Sequence, residues 1–171
     1  MIRIVGLTAF LMLAACSAEA PLAPTPKASA APDLESAAIA SGVIADPANT
    51  DMTGLYARDT DRVCVVPDRL NYRIGAFVDY GDQQNCSGSG TVTRVGEALH
   101  ITFAAAPGCD FDARFEGDRI VFPGRMPQAC EKLCGQRASF AALDVRRLSD
   151  SVSEAATLRD SKRRMLCALG G

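Results

Sequence analysis

From Thr53 to about residue 148 the chain runs in short alternating stretches separated by turn residues. A period of two is compatible with strands that bury one face and wet the other, the habit of antiparallel sheets. Tyr72, Ile74, Ala76, Val78 and Tyr80 fall on one face of such a strand, and Gly81-Asp82 follows as a turn signal. Leu99, Ile101 and Phe103 alternate with His100 and Thr102. Cys109, Phe111, Ala113 and Phe115 alternate with Asp110, Asp112, Arg114 and Glu116, and Gly117-Asp118 leads into Ile120 and Phe122. Residues 109–122 therefore read as a hairpin. Shorter strands fit 54–58, 62–66, 90–95 and 139–148. The fold class is mainly β: a small antiparallel barrel or sandwich of about eight strands.

The flanks have a different texture. Pro123 to Gly135 holds two prolines and the Cys130-Glu131-Lys132-Leu133-Cys134 step, and reads as a loop pinned by cysteines. Asp150 or Ser151 caps a C-terminal helix, with Glu154 completing a capping box after Ser151. Val152, Ala155, Leu158, Met165 and Leu169 supply an interrupted apolar stripe for that helix; a final strand around 165–169 is the alternative. Residues 17–50 are dominated by Ala, Pro and Ser, which favours an extended, semi-rigid stalk. A brief helix fits Asp33 to Ile44 within it.

At the front, Arg3 precedes an apolar run from Ile4 to Ala15. That run is shorter than the roughly 20 residues needed to cross a bilayer, and reads as a secretory signal. Leu13-Ala14-Ala15-Cys16 resembles the lipobox of bacterial lipoproteins. The resemblance implies cleavage before Cys16, a diacylglyceryl thioether on its sulfur and N-acylation of the new terminus. The chain then divides into a signal peptide (1–15), a lipidated cysteine with its stalk (16–50) and a β-rich domain (51–171). Ser17 after Cys16 implies, by resemblance to bacterial sorting rules, the outer membrane facing the periplasm; the inner membrane is the alternative.

Removing the leader takes 18 basic side chains to 17 against 20 acidic ones, a net charge of -3. Such a balance gives no electrostatic footprint for nucleic acid. Aromatics are 6% of the chain and tryptophan is absent, so little large apolar payload is available and cross-links would help. With Cys16 lipidated, six cysteines remain: Cys64, Cys86, Cys109, Cys130, Cys134 and Cys167. An even set in an exported domain reads as three disulfides, with fifteen connectivities open.

Signals for chemistry are weaker. His100 is the only histidine and lies on the wet face of its strand, which excludes three-His and His₂Glu zinc sites. Cys130 and Cys134 have three residues between them, so the CxxC redox motif is absent, and oxidation competes with a Cys₄ zinc site in an exported chain. Ser87-Gly88-Ser89-Gly90 lacks the first glycine of a nucleophile elbow and reads as a flexible turn. Asp110, Asp112, Glu116 and Asp118 could pair as acids, but Arg114 and Arg119 interleave with them as on a solvated face. Arg159, Lys162, Arg163 and Arg164 cluster late in the expected helix, where cations suit its dipole; they are the candidate contact for an anionic partner. No nucleophile–base pair or metal set can be assembled, and no cofactor is implied.

Gly54-Leu55-Tyr56, Cys64-Val65-Val66 and Cys86 resemble the start of the periplasmic metalloprotease-inhibitor and outer-membrane-lipoprotein barrel family, with Tyr56 in place of its tryptophan. The Ser-Gly-Ser-Gly step is similar to a loop of lysozyme-inhibitor lipoproteins. The first resemblance implies an eight-stranded barrel and a Cys64–Cys86 disulfide. Cys109 would then pair into the Cys130–Cys134 loop, and Cys167 would staple the helix to the remaining cysteine. The expectation is a non-enzymatic binding or inhibitory lipoprotein. Its partners are the membrane, through the anchor, and an unknown envelope protein or glycan. The alternative is a structural or assembly lipoprotein bridging the membrane and an envelope complex.

Overall fold

The computed structural model describes residues 33–41, 43 and 51–169. The leader, Cys16 and most of the Ala/Pro-rich stretch lie outside the described residues. Within that stretch a helix α1 spans Leu34–Ala40, with Asp33 at its cap position but no side-chain cap bond.

Eight strands follow: β1 (Gly54–Arg58), β2 (Asp61–Asp68), β3 (Asn71–Asp79), β4 (Asn85–Val95), β5 (Ala98–Phe103), β6 (Asp110–Phe115), β7 (Arg119–Val121) and β8 (Asp144–Ser149). Each pairs antiparallel with the next, and β8 returns to β1, closing the barrel in chain order. Closure resolves barrel against sandwich. Alternation is plain in β5 and β6, where buried Leu99, Ile101, Phe103, Phe111, Ala113 and Phe115 point inward. Tyr80, expected on the inner face of β3, lies past the strand's end and is exposed.

The β6–β7 ladder has only two pairs, Arg114↔Val121 and Phe115↔Ile120. Continuing that register would bring Pro123 opposite Asp112, and proline has no N–H to offer. Its carbonyl instead accepts from Ala142 N–H on the β8 side.

The barrel's two ends are built differently. At one, β2–β3 and β4–β5 turn in two residues, with Arg69 (φ 58°) and Gly96 (φ 61°) left-handed, as the twist of tight hairpins requires. Arg147 lies 5.4 Å over the Tyr56 ring there, while Arg94 lies 4.5 Å over Phe115. The Tyr56 hydroxyl donates to the Met52 carbonyl at 2.8 Å. Burial pushes the phenol's pKa up to about 12 against the opposing pull of Arg147. At the other end the longer connections converge on an aromatic plug of Phe103, Phe111, Phe122 and Phe140, with ring centroids 5.0–6.3 Å apart along the cluster.

Three disulfides close the structure, Cys64–Cys167, Cys86–Cys134 and Cys109–Cys130. Cys109 does pair into the Cys130–Cys134 region. The Cys64–Cys86 bond implied by the family resemblance is not formed. Cys64 and Cys86 occupy β2 and β4, which are separated by β3. The Cys64 sulfur belongs to the outer wall of β2, where the C-terminal segment covers it.

That segment corrects a second expectation. A helix does follow Ser151, whose hydroxyl accepts from Glu154 N–H, but α2 spans only Val152–Ala155. Beyond it the chain forms a strap across the outside of the barrel. Ala155, Ala156, Leu166 and Cys167 pack there on Cys64 and Val66, flanked by Leu55, Phe77, Val152 and Leu158. Both faces of β2 are therefore buried. Gly75 permits the contact: a Cβ on it would lie 2.5 Å from Leu166 Cβ and 2.8 Å from Cys64 Sγ.

Candidate functional site

After Leu158 the strap folds into a small hairpin, organised by a carboxylate. Arg159 and Met165 form an isolated bridge, and Asp160 N–H donates to the Arg164 carbonyl at 3.0 Å. The Asp160 side chain is 1% exposed. Its Oδ1 accepts from the N–H groups of Lys162 (2.9 Å) and Arg164 (2.8 Å), and its Oδ2 takes Arg164 Nε and Nη2 at 2.8 and 2.7 Å. Burial alone would raise the carboxyl's pKa, but these N–H groups and the guanidinium outweigh it and hold the group below the usual carboxylate range. Arg163 takes a left-handed conformation at the tip (φ 63°), and its carbonyl accepts from Arg159 Nη1. A helix cannot continue through this geometry. Arg159, Lys162, Arg163 and Arg164 thus sit on a hairpin rather than on the last turns of a helix.

The hairpin faces the segment that follows β7. What the sequence presents as a loop contains a 3₁₀ helix, Gln128–Leu133, fastened by Cys130 to Cys109 and, one residue past its end, by Cys134 to Cys86. Ser161 Oγ bonds Asn85 Oδ1 at 3.3 Å, tying the hairpin to the start of β4. Between these pieces lies a groove of about 570 Å³. Its cations are Lys132, Lys162 and Arg164; its neutral polar groups come from Gln83, Asn85, Ser87 and Ser161. No carboxylate side chain lines it, and among the described residues no ion pair engages Lys132 or Lys162.

The structure brings together two of the four expected cations. Arg159 and Arg163 are exposed but do not line the groove. Lys132 joins from a segment thirty positions upstream, and the hint of its involvement was its place between Cys130 and Cys134.

The other candidates resolve as surface chemistry. His100 and Asp112 are cross-strand partners at 2.9 Å on the outer wall, and both are exposed. Glu116 pairs with Arg114 and Arg119, and Asp118 pairs with Arg146 at 3.7 Å. Asp144 bonds the Arg119 guanidinium through both oxygens. That bond, stronger than the opposing effect of burial, lowers the Asp144 pKa and raises that of Arg119. All six cysteines of the barrel domain are oxidised, so no thiolate set is left for zinc. Among the described residues no group of three or more His, Cys, Asp or Glu is placed to hold a metal.

Ser87-Gly88-Ser89-Gly90 is not a turn but part of β4. A Cβ on Gly88 would meet the Phe103 ring at 3.0 Å, and one on Gly90 would lie 1.9 Å from the Thr102 carbonyl oxygen. Close packing, not flexibility, accounts for these glycines.

The site and fold define a small, disulfide-stapled antiparallel barrel with a packed interior and a cationic groove on its outside. No protein-family model, curated protein or solved structure matches the chain.

Proposed function

We propose that this protein is a lipid-anchored lipoprotein of the bacterial envelope, held through Cys16 and facing the periplasm. Its barrel acts without catalysis, as a binding or inhibitory module for an envelope protein, a glycan or a secreted hydrolase. The observation that carries the reading is the division of labour in the barrel. Its axis is filled by side chains such as Ile74, Ile101 and Phe111, while a polar groove opens on the outside. Ligand recognition therefore falls to surface loops, as is usual where a rigid scaffold positions them. The lipobox at Leu13–Cys16 and three disulfides suit an exported, oxidising setting.

The test pairs anchoring with partner capture. Wild-type protein should stay with carbonate-washed membranes and retain a partner after cross-linking in cells; Cys16→Ser should be released. Added to a secreted metalloprotease or to lysozyme, the purified protein should titrate activity at a stoichiometric ratio if the target is a hydrolase. Capture of a stable envelope complex without inhibition would select the assembly role. A Cys16→Ser protein that still pellets refutes the anchor, and failure both to capture a partner and to inhibit refutes the binding module.

A further inference from the structure

We infer that the groove beside the C-terminal hairpin is a site for a phosphorylated saccharide, either free or as the head of a glycolipid. The assignment rests on the binding-module reading and names the ligand class for its groove.

Three features of the lining point to that chemistry. The first is positive charge drawn from two separate segments: Lys132 on the 3₁₀ helix and Lys162 on the hairpin, neither in an ion pair among the described residues, with Arg164, held by Asp160, beside them. Ammonium and guanidinium groups are the usual partners of phosphate oxygens. Asp160 engages Nε and Nη2 of Arg164, which leaves guanidinium N–H groups available. The second feature is the neutral donors and acceptors of Gln83, Asn85, Ser87 and Ser161, which match hydroxyl groups rather than a second charge. The third is a small apolar component from Ala105 and Leu133, suited to the C–H face of a sugar ring. At about 570 Å³ the groove falls in the usual range for small-ligand sites, roughly 300–1,000 Å³.

The site is also preorganised. Cys86–Cys134 and Cys109–Cys130 bracket the segment that carries Lys132. The buried Asp160 fixes the backbone at Lys162 and Arg164, and Ser161 is bonded to Asn85 across the groove. A ligand would therefore meet cations whose backbone is already ordered, which lowers the entropy lost on binding.

The full-length protein, detergent-extracted with its disulfides intact, is titrated with glucose 1-phosphate and followed by amide NMR shifts and calorimetry. The expected result is saturable binding with shifts at Asn85, Lys132 and Ser161 to Arg164, and no binding of glucose. Replacing Lys132 and Lys162 together by Ala should weaken binding by about tenfold or more per cation removed. Arg125→Ala, an exposed cation away from the groove, should leave affinity unchanged. Phosphatidylcholine vesicles carrying a phosphorylated glycolipid separate the two sources: tighter binding there than to the free sugar phosphate identifies a glycolipid head, and weaker binding a soluble ligand. Equal binding of inorganic phosphate and sugar phosphate, equal binding of phosphatidylglycerol and glycolipid vesicles, or an unaffected double variant overturns the assignment. If sugar phosphate fails while a captured protein partner is lost in the same double variant, the ligand class is wrong and the binding module stands. If the double variant changes neither, the groove assignment falls, and the binding module stands or falls on partner capture and inhibition alone.

Discussion

The Cys64–Cys167 bridge fastens the strap to the barrel, and its removal can be worked through from the structure. Consider Cys64→Ala with Cys167→Ala, leaving the other two bridges intact. The bond closes a separation of 103 residues, but Cys86–Cys134 shortcuts 48 of them, so about 55 remain to be closed. A cross-link around a loop of about 100 residues contributes roughly 4.7 kcal/mol in the chain-entropy model. Halving the loop lowers that by about 0.6 kcal/mol, so the expected loss is about 4 kcal/mol. Set against the roughly 5–15 kcal/mol typical of a folded domain, the variant should fold with a far lower denaturation midpoint. Its m-value in urea should rise, because the unfolded chain is less restrained and exposes more surface. The damage should also have a location. Arg159, Lys162, Arg163 and Arg164 give trypsin four cleavage points on the strap, and the untethered strap should be clipped there before the barrel is digested. A midpoint that reports a loss under about 1 kcal/mol, together with a strap that resists trypsin as well as wild type, would refute this reasoning. The strap would then be held by the packing of Leu166, Ala155 and Ala156 alone.

Two further predictions test the strap from other directions. Gly75→Ala places a methyl group 2.5 Å from Leu166 Cβ and should cost about 1–3 kcal/mol by overpacking. Urea denaturation checks this, and an unchanged midpoint would mean that the strap sits farther from β3. Asp160 has a lowered folded pKa, so its contribution is complete above the ordinary carboxylate value of 3.8 and fades as pH falls through the lower folded value. Asp160→Asn, which turns an amide N–H toward Arg164, should cost about 1–3 kcal/mol at neutral pH. The gap to wild type should narrow in acid below that range, as paired denaturation curves across pH would reveal.

The strands were legible because alternation is enforced residue by residue. Leu99, Ile101 and Phe103 must be inside if the intervening residues are to be wet, and they are. Two misreadings have different physical origins, crowding from the neighbouring strand in one case and a local carboxylate turn in the other. Gly88 and Gly90 look like turn residues locally, yet they are small because Phe103 and the Thr102 carbonyl crowd β4 from β5. The apolar stripe after Ser151 is real in part, since Val152, Ala155 and Leu158 do pack on the barrel. What the stripe did not convey is that Asp160 folds the chain back on itself. A signal for the covered outer wall was nonetheless present. Val63-Cys64-Val65-Val66 is apolar at every position, as a strand buried on both faces should be, and a cover on β2 directs Cys64 toward that cover rather than across the barrel.

The placement of the disulfides bears on what they are for. None joins one barrel strand to another: each ties a strand, or the residue before one, to a segment outside the ladder. Closure of the barrel rests on its continuous antiparallel pairing and filled interior, to which Cys86, Cys109 and Cys130 contribute as buried core residues. The groove is different. Its walls are a short 3₁₀ helix and a strap hairpin, elements too small to hold their own shape in water. Cys86–Cys134 and Cys109–Cys130 fix the first, and Cys64–Cys167 anchors the second three residues beyond Arg164. Aligned cations on such elements have an entropic cost that the sheet cannot offset, because they lie outside it. Cross-links that restrain these segments act on the groove more than on the barrel. Oxidation of the six cysteines thereby bears on the shape of the outer surface around the groove.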